Sequence, residues 1–299
     1  MKNVLVLMAT YNGEKYLREQ LESLFAQKDV RISVLVRDDG SGDGTCDILQ
    51  QYQDAGKLTW YTGEHLNVQK GFFDLMKHAA ALNAEYIAFC DQDDVWDPDK
   101  LKTAVDSICQ YGQEIPALYY CGQRLVDGEM NFLADHILNE KRSLTTRFVL
   151  SDFAGCTGVF NGKLLQEVMD FEPEYMLMHD TWILKVCLCL GGAVVVDPQP
   201  HMSYRQHGGN TVGLRRSIPA YLKQVKQYLT VYKVEEQMVE LLRGYGDRMV
   251  PAYKEIAQWV CGYRYRYQYR RKLLSFKEVN FRSVGLNLTY WLKVMLHRL

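Results

Sequence analysis

Residues 86–100 constrain this chain more than any other stretch. Tyr86-Ile87-Ala88-Phe89-Cys90 is a short apolar run with no polar alternation, as expected of a strand buried on both faces of a parallel or mixed sheet. It ends abruptly in Asp91-Gln92-Asp93-Asp94, three carboxylates within four residues. Asp97 then reads as an N-cap and Pro98 as the first residue of a helix whose inner stripe is Leu101, Ala104, Val105 and Ile108. Carboxylates crowded at a strand end repel one another and need compensation. Turn and cap chemistry accounts for Asp94 and Asp97. For Asp91 and Asp93 the better account is a hard cation, Mg²⁺ or Mn²⁺, shared with phosphate oxygens of a ligand. Open α/β sheets bind ligands just outside the carboxyl ends of their strands, where these residues lie.

The flanking sequence supplies that sheet. Residues 3–9 form a buried-strand run that breaks at Thr10-Tyr11-Asn12-Gly13, and the next helix carries Leu17, Leu21, Leu24 and Phe25 inward. A second strand over 32–36 ends in Arg37-Asp38-Asp39-Gly40-Ser41-Gly42-Asp43-Gly44-Thr45, a loop with three glycines, followed by the helix of Ile48, Leu49 and Tyr52. A third strand over 58–62 and a helix over 71–82 precede the opening stretch. The alternation predicts right-handed βαβ units with helices on both faces of the sheet. No G-x-G-x-x-G follows the first strand and no G-x-x-x-x-G-K-[ST] occurs, which argues against dinucleotide and P-loop folds.

Beyond residue 111 the alternation weakens. A strand is expected over 117–121, a loop with one short helix over 123–150, and a glycine-bearing strand-like run over 153–161 that suggests close approach of a ligand or backbone. Helices follow over 163–170 and 182–190, the latter opened by His179-Asp180-Thr181. A strand over 193–196 leads to the polar loop Arg205-Gln206-His207-Gly208-Gly209-Asn210, and helical periodicity resumes from 218 to about 275.

With 299 residues the chain is long enough for one large domain or a domain with an appendage. Its eight cysteines show no CxxC pair, and Cys90, Cys121, Cys187 and Cys189 lie inside apolar runs, as reduced thiols of a cytosolic protein do. A leader and a membrane span are not expected, since the chain enters a strand by Val4 and contains no apolar stretch of the required length. The net charge of −1 hides an asymmetry: residues 251–299 hold ten Lys and Arg against two Glu.

Thr10-Tyr11-Asn12-Gly13, Asp38-Asp39-Gly40-Ser41, Asp91-Gln92-Asp93-Asp94 with the following Trp96 and Pro98, His179-Asp180 and Gln206-His207 occur in one order over residues 1–212. Together they resemble the inverting glycosyltransferases of family two, with the GT-A fold, and within them the rhamnosyltransferase-like branch. The resemblance implies an α/β GT-A domain over 1–215 and a helical, basic-aromatic extension over 216–299. It implies a nucleoside diphosphate sugar donor of dTDP or UDP type, with L-rhamnose as the candidate sugar. It places Thr10, Tyr11, Asn12, Asp39 and Asp91 at the donor, Tyr11 against the base and Asp39 accepting from the pyrimidine or ribose. Asp93, with His207 as a candidate partner, would hold the divalent ion, Mg²⁺ or Mn²⁺, that bridges the diphosphate. Asp180 is the general base, although an Asp before an apolar helix is also the expected N-cap. His179 stands where relatives carry Glu, and with Cys156 and Thr157 it is assigned to the acceptor side or to support of the base. No Gln-x-x-Arg-Trp motif is present, so single-sugar addition is expected rather than polymerisation. For Asp38 a structural and a functional role stand open.

Residues 259–272 interleave Tyr with Arg, and 286–299 form an amphipathic segment with Leu288, Trp291, Leu292 and Met295 on one stripe. Three roles compete for this tail: completing the core or a homo-oligomer, peripheral contact with an anionic membrane through residues 259–299, and nucleic-acid binding. Nucleic acid ranks last, because no nucleic-acid fold signature accompanies the tail. The expected setting is the cytoplasm at the inner face of a membrane, and the expected acceptor a cell-surface polysaccharide or lipid-linked glycan. A nucleotidyltransferase is the enzymatic alternative, but Thr10-Tyr11-Asn12-Gly13 lacks the basic, glycine-rich loop that would hold a triphosphate. A non-catalytic sugar-nucleotide-binding protein is the other.

Overall fold

The computed structural model describes residues 1–207 and 232–299. Its centre is a sheet, nine-stranded among the described residues, of β1 (Lys2–Thr10), β2 (Val30–Asp38), β3 (Thr59–Thr62), β4 (Tyr86–Cys90), β5 (Val95–Trp96), β6 (Ala117–Val126), β7 (Phe132–His136), β8 (Val159–Asn161) and β9 (Ala193–Arg205). The order is β3-β2-β1-β4-β8-β6-β9-β5, with β7 paired to β6. β3, β2, β1 and β4 run parallel, β8 runs against β4 and β6, and β9 lies parallel to β6. Helices α1 (Leu17–Phe25), α2 (Thr45–Asp54), α3 (Val68–Ala80) and α4 (Lys100–Ile108) connect the first strands.

The absence of polar alternation in β1 and β4 follows from burial on both faces. Leu5, Leu7, Ile87 and Phe89 enter one core with Phe72 and Met76 of α3. Val4, Val6, Met8, Ala88 and Cys90 enter the other with Leu17, Leu21 and Leu101. Further helices α5 (Leu144–Val149), α6 (Gly162–Met169) and α7 (His179–Cys189) cover the first face. So do the C-terminal helices α8 (Val234–Tyr245), α9 (Pro251–Gly262), α10 (Tyr267–Leu273) and α11 (Val284–Met295). Met238, Leu241, Tyr245, Trp259, Val260 and Val294 belong to the same core as Phe89 and Trp182. The expected domain division at 215/216 falls outside the described residues, as do Gly208, Gly209 and Asn210 and the first part of the expected 218–275 helical stretch. The described part of the extension is continuous with the sheet's core.

Three local expectations need correction. Helix α4 starts at Lys100, and Asp97 is not its cap: its carboxylate forms a two-pronged ion pair with Arg124 at 3.1 and 3.2 Å. The 123–150 region is more ordered than a loop, because β6 continues to Val126 and pairs with β7 before α5. β9 runs on to Arg205 through Pro198 and Pro200. Register shifts in its pairing with β6 around Gly122 accommodate the prolines, which sheets tolerate at bulges.

Candidate active site

β1 sits between β2 and β4, so the loops leaving these strands diverge around a crevice at their carboxyl ends. The loop after β2 is held in place by Asp38. This buried residue accepts from Gly40 N–H at 3.0 Å and Ser41 N–H at 2.8 Å on one oxygen, and from the hydroxyls of Thr10 at 2.9 Å and Ser41 at 2.6 Å on the other. Asp38 is therefore the structural member of its pair. The Thr10 hydroxyl is turned inward with it. Asn12, in the left-handed region at φ 49°, accepts Gly42 N–H at 2.9 Å and ties the first two loops together. Gln92 ties the first loop to the β4 loop: it accepts Tyr11 N–H at 2.9 Å and donates to the Tyr11 carbonyl at 3.0 Å. Gly13 is needed there, because a Cβ would lie 2.3 Å from Gln92 Oε1.

These ties leave the Tyr11 ring 48% exposed and 4.6 Å from the His65 ring, an open aromatic platform. Asp39 lies beside it, ion-paired with the buried Arg37, whose Nε also meets Asp74 at 2.9 Å. Asp39 can still accept from a ligand, but its charge is already compensated.

The acidic run after β4 draws in partners from distant segments. His207 Nε2 lies 2.6 Å from Asp93 Oδ2. Asp91, Asp94 and Cys156 bring a carboxylate oxygen, a second one and a sulfur within 4.8 Å of one another. Asp94 is fully buried. One of its oxygens accepts Arg205 N–H at 3.2 Å, and the other, near the Cys156 thiol, has no hydrogen-bond partner among the described residues. Burial and the neighbouring carboxylates push Asp94 well above the usual carboxylate range, and burial with the charge of Asp93 raises Asp91. Asp94 thus does not serve its own turn, as the sequence suggests, but accepts from the backbone of Arg205, 111 residues away. A buried carboxylate oxygen with no hydrogen-bond partner among the described residues, beside a second carboxylate and an Asp–His pair, fits a hard divalent cation. Cys156 does not fit as a ligand: burial raises its thiol, so it stays protonated, and sulfur is too soft for Mg²⁺.

Asp180 lies in the first turn of α7 and does not cap it; that position is Met178. Its Oδ2 accepts Gly155 N–H at 3.0 Å, its Oδ1 the N–H of Thr181. Burial lifts its pKa to about 6, and its own charge contributes to the rise of Asp91, so Asp180 and the acidic cluster share one electrostatic environment. Gly155 opens the 3₁₀ turn Gly155–Thr157, whose Cys156 carbonyl accepts from the buried Lys100 Nζ at 2.8 Å. The Thr157 hydroxyl is committed to the Ala154 carbonyl at 2.7 Å. His179 is buried, stacked on Phe72 at 4.0 Å and edge-on to Phe89 at 4.8 Å, and burial holds it down to about 3, hence neutral. Neither ring nitrogen has a hydrogen-bond partner among the described residues, and a Cβ on Gly155 would sit 2.6 Å from His179 Nε2. His179 thus stands behind the turn that holds Asp180.

Tyr11, Asn12, Asp39, Asp91, Asp93, Asp180 and His207 lie on the loops and turns gathered at this end of the sheet, with the buried Thr10, Cys156, Thr157 and His179 packed behind them. Sequence reasoning missed Gln92, Arg37, His65, Arg205 and Lys100. Gln92 had a signal, an amide between two aspartates. Arg205 donates to the Asp93 carbonyl at 2.8 Å and reaches Glu19, contacts that no local pattern encodes.

The family model for glycosyl transferase family 2 matches residues 5–169. A dTDP-rhamnosyl transferase, RfbG, of Shigella flexneri is 30% identical over 236 residues, covering 73% of this chain and 78% of that one. S. aureus TarS 1–349, solved in complex with UDP-GlcNAc, superposes with a TM-score of 0.59 at 17% identity, covering 98% of this chain and 79% of that one. The mannosyltransferase PcManGT of Pyrobaculum calidifontis, solved with GDP-Man and Mn²⁺, gives 0.56 at 15% identity, over 99% and 86%. The expected fold and enzyme class are borne out: the protein is a glycosyltransferase with the GT-A architecture, and the chain belongs to glycosyl transferase family 2.

Proposed function

We propose that the protein transfers a single sugar, with inversion, from a nucleoside diphosphate to a hydroxyl of a cell-surface polysaccharide or lipid-linked glycan. L-Rhamnose from a dTDP donor is the candidate, supported by the likeness to the Shigella flexneri dTDP-rhamnosyl transferase. The observation that carries the reading is the buried Asp180 carboxylate, held by the Gly155 N–H beside an acidic cluster that contains a carboxylate oxygen without a hydrogen-bond partner among the described residues.

The nucleoside base stacks on the open face of Tyr11, and the ribose or base donates to Asp39. Asp91, Asp93, Asp94 and His207 would hold Mg²⁺ or Mn²⁺. Bound there, the ion neutralises charge that builds on the leaving diphosphate. Asp180 takes the proton of the acceptor hydroxyl as that oxygen bonds to the anomeric carbon, and the carbon–oxygen bond to the diphosphate breaks with its electron pair on the leaving group. A base with a pKa of about 6 is ionised at neutral pH and still basic enough for this task. The N–H donors of Gly155 and Thr181 fix the orientation of the carboxylate, and neutral His179 packs behind them without adding charge.

The test is a transfer assay with dTDP-L-rhamnose and UDP sugars, with and without Mn²⁺, on wild type and Asp180→Asn. Metal-dependent donor consumption that the variant loses is the expected result. Undiminished turnover by Asp180→Asn would overturn the assignment of the base.

A further inference from the structure

Helix α11 is inverted in polarity. Its outward face carries Leu288, Leu292 and Met295 at 57%, 46% and 57% exposure, and Leu296 continues the stripe beyond the helix end. Its inward face carries Asn287 and Lys293 beside Tyr290 and Val294. Asn287 accepts Phe281 N–H at 3.0 Å, and the buried Lys293 ammonium is held by the Tyr232 carbonyl. The sequence stripe Leu288, Trp291, Leu292 and Met295 is therefore real, but it faces away from the core, apart from Trp291, which is half-buried. A fold that spends its polar side chains inward and its aliphatic ones outward needs an apolar medium on the outer side.

Aromatic and basic residues lie near this helix in the chain, and one of them packs directly on it. Phe276, 52% exposed, packs on Trp291 at 4.5 Å and brings the 275–278 loop against the helix. Tyr265 and Tyr267 are largely exposed. Arg271, Lys277, Arg282 and Arg298 are exposed, with no carboxylate at ion-pair distance among the described residues. Glu278 is already paired with Lys272 at 3.4 Å. Aliphatic side chains rimmed by aromatics and uncompensated cations match the region where acyl chains meet anionic headgroups. A second copy of the chain matches it poorly, since a symmetric pairing through α11 would set these cations against themselves.

We propose that the outer face of α11, with Phe276 and the basic residues Lys277, Arg282 and Arg298, is a docking surface for an anionic lipid bilayer, on which the helix lies flat. In agreement with this, no helix among the described residues is long and apolar enough to cross a membrane. The inference rests on α11 and its rim alone and is independent of the donor and base assignments above.

The test is flotation of the full chain with phosphatidylcholine vesicles and with vesicles of equal parts phosphatidylcholine and phosphatidylglycerol, at low and high salt. Wild type should float with the anionic vesicles, less so in high salt, and only weakly with phosphatidylcholine alone. The triple variant Leu288→Ser, Leu292→Ser, Met295→Ser should stay at the bottom. These positions are solvent-facing, so an unchanged circular dichroism spectrum and melting temperature should certify its fold. Lys277→Gln with Arg298→Gln should lower partitioning about 30-fold, since each basic residue near an anionic surface is worth about 1 kcal/mol. Wild type that fails to float with anionic vesicles would overturn the proposal, and so would a triple variant that floats as well as wild type. Concentration-dependent dimers that the triple variant dissolves, without vesicle binding by wild type, would overturn it in favour of a second copy.

Discussion

His207 Nε2 lies 2.6 Å from Asp93 Oδ2, joining the loop after β4 to the end of β9 across 114 residues of sequence. A His–carboxylate contact this short orients both groups, and under the proposed metal site His207 is either a ligand or the residue directly behind one. In both cases His207→Ala should weaken Mn²⁺ binding by at least about tenfold, the lower end for loss of a residue that orients a metal ligand. Asp93→Ala should abolish the Mn²⁺ dependence of nucleotide binding. Titration calorimetry of dTDP and UDP with and without Mn²⁺ checks both. Equal affinities in wild type and Asp93→Ala would remove Asp93 from the metal site.

Asp180 makes a prediction with a defined pH sign. Burial raises its pKa to about 6, and only the ionised form can accept a proton. The rate should therefore rise as pH climbs through about 6 and level off above it. Asp180→Asn should lower kcat by about 10²–10⁴-fold, the usual contribution of a general base, and leave the thermal shift given by donor nucleotide intact. A pH profile of kcat/KM for wild type, with the variant's residual rate flat over the same range, is the deciding measurement.

Much of the fold was legible because parallel strands buried on both faces read as unbroken apolar runs, as in residues 4–8 and 86–90. Asp91 and Asp93 were legible for a related reason: carboxylates in a row at such a strand end have no local compensation. Asp94 was misread, since the same local pattern describes a turn residue; its burial depends on Arg205 and Cys156, 111 and 62 positions away. Asp97 was misread likewise, since Arg124 arrives from β6, which lies beyond β9 in the sheet. In α11 the sequence periodicity marked the apolar stripe correctly, but periodicity alone carries no information on which side the core lies.

Under the proposed cation site, the Asp94 oxygen that lacks a hydrogen-bond partner among the described residues trades stability for function. In the cation-free protein, Asp94 and Asp91 hold protons more tightly than in the unfolded chain, so folding stability falls as pH rises from the ordinary carboxylate range toward their raised values. Asp94→Asn keeps the acceptor for Arg205 N–H and offers an amide donor toward Asp91. It should stabilise the cation-free protein at pH 7.5 by about 1–3 kcal/mol, the cost of an unsatisfied buried polar group. The same variant should lose the stabilisation that Mn²⁺ gives wild type. Denaturant unfolding with and without Mn²⁺ measures both effects, and a variant less stable than wild type in chelator would refute the strain at this site.

Lys185 lies on α7, five positions beyond Asp180, and its ammonium is wholly buried. It donates to the Phe148 carbonyl at 2.5 Å and the Val149 carbonyl at 3.1 Å at the end of α5, with burial as the one cause that pulls its pKa down to about 7. In the unfolded chain it titrates near 10.5. Below pH 7 both states hold the proton, and folding bears the full cost of burying the charge. Between about 7 and 10.5 the unfolded chain binds more protons than the folded one, so this group's contribution to stability improves as pH rises. Lys185→Met has no proton to release and lacks that slope. The stability of wild type relative to Lys185→Met should therefore increase between pH 7 and pH 9.5, by on the order of 3 kcal/mol at about 1.4 kcal/mol per pKa unit. Taking the difference cancels the other titrating groups. Urea unfolding of both proteins at the two pH values supplies it, and a difference that does not change with pH would show that Lys185 enters the folded core with its ordinary proton affinity.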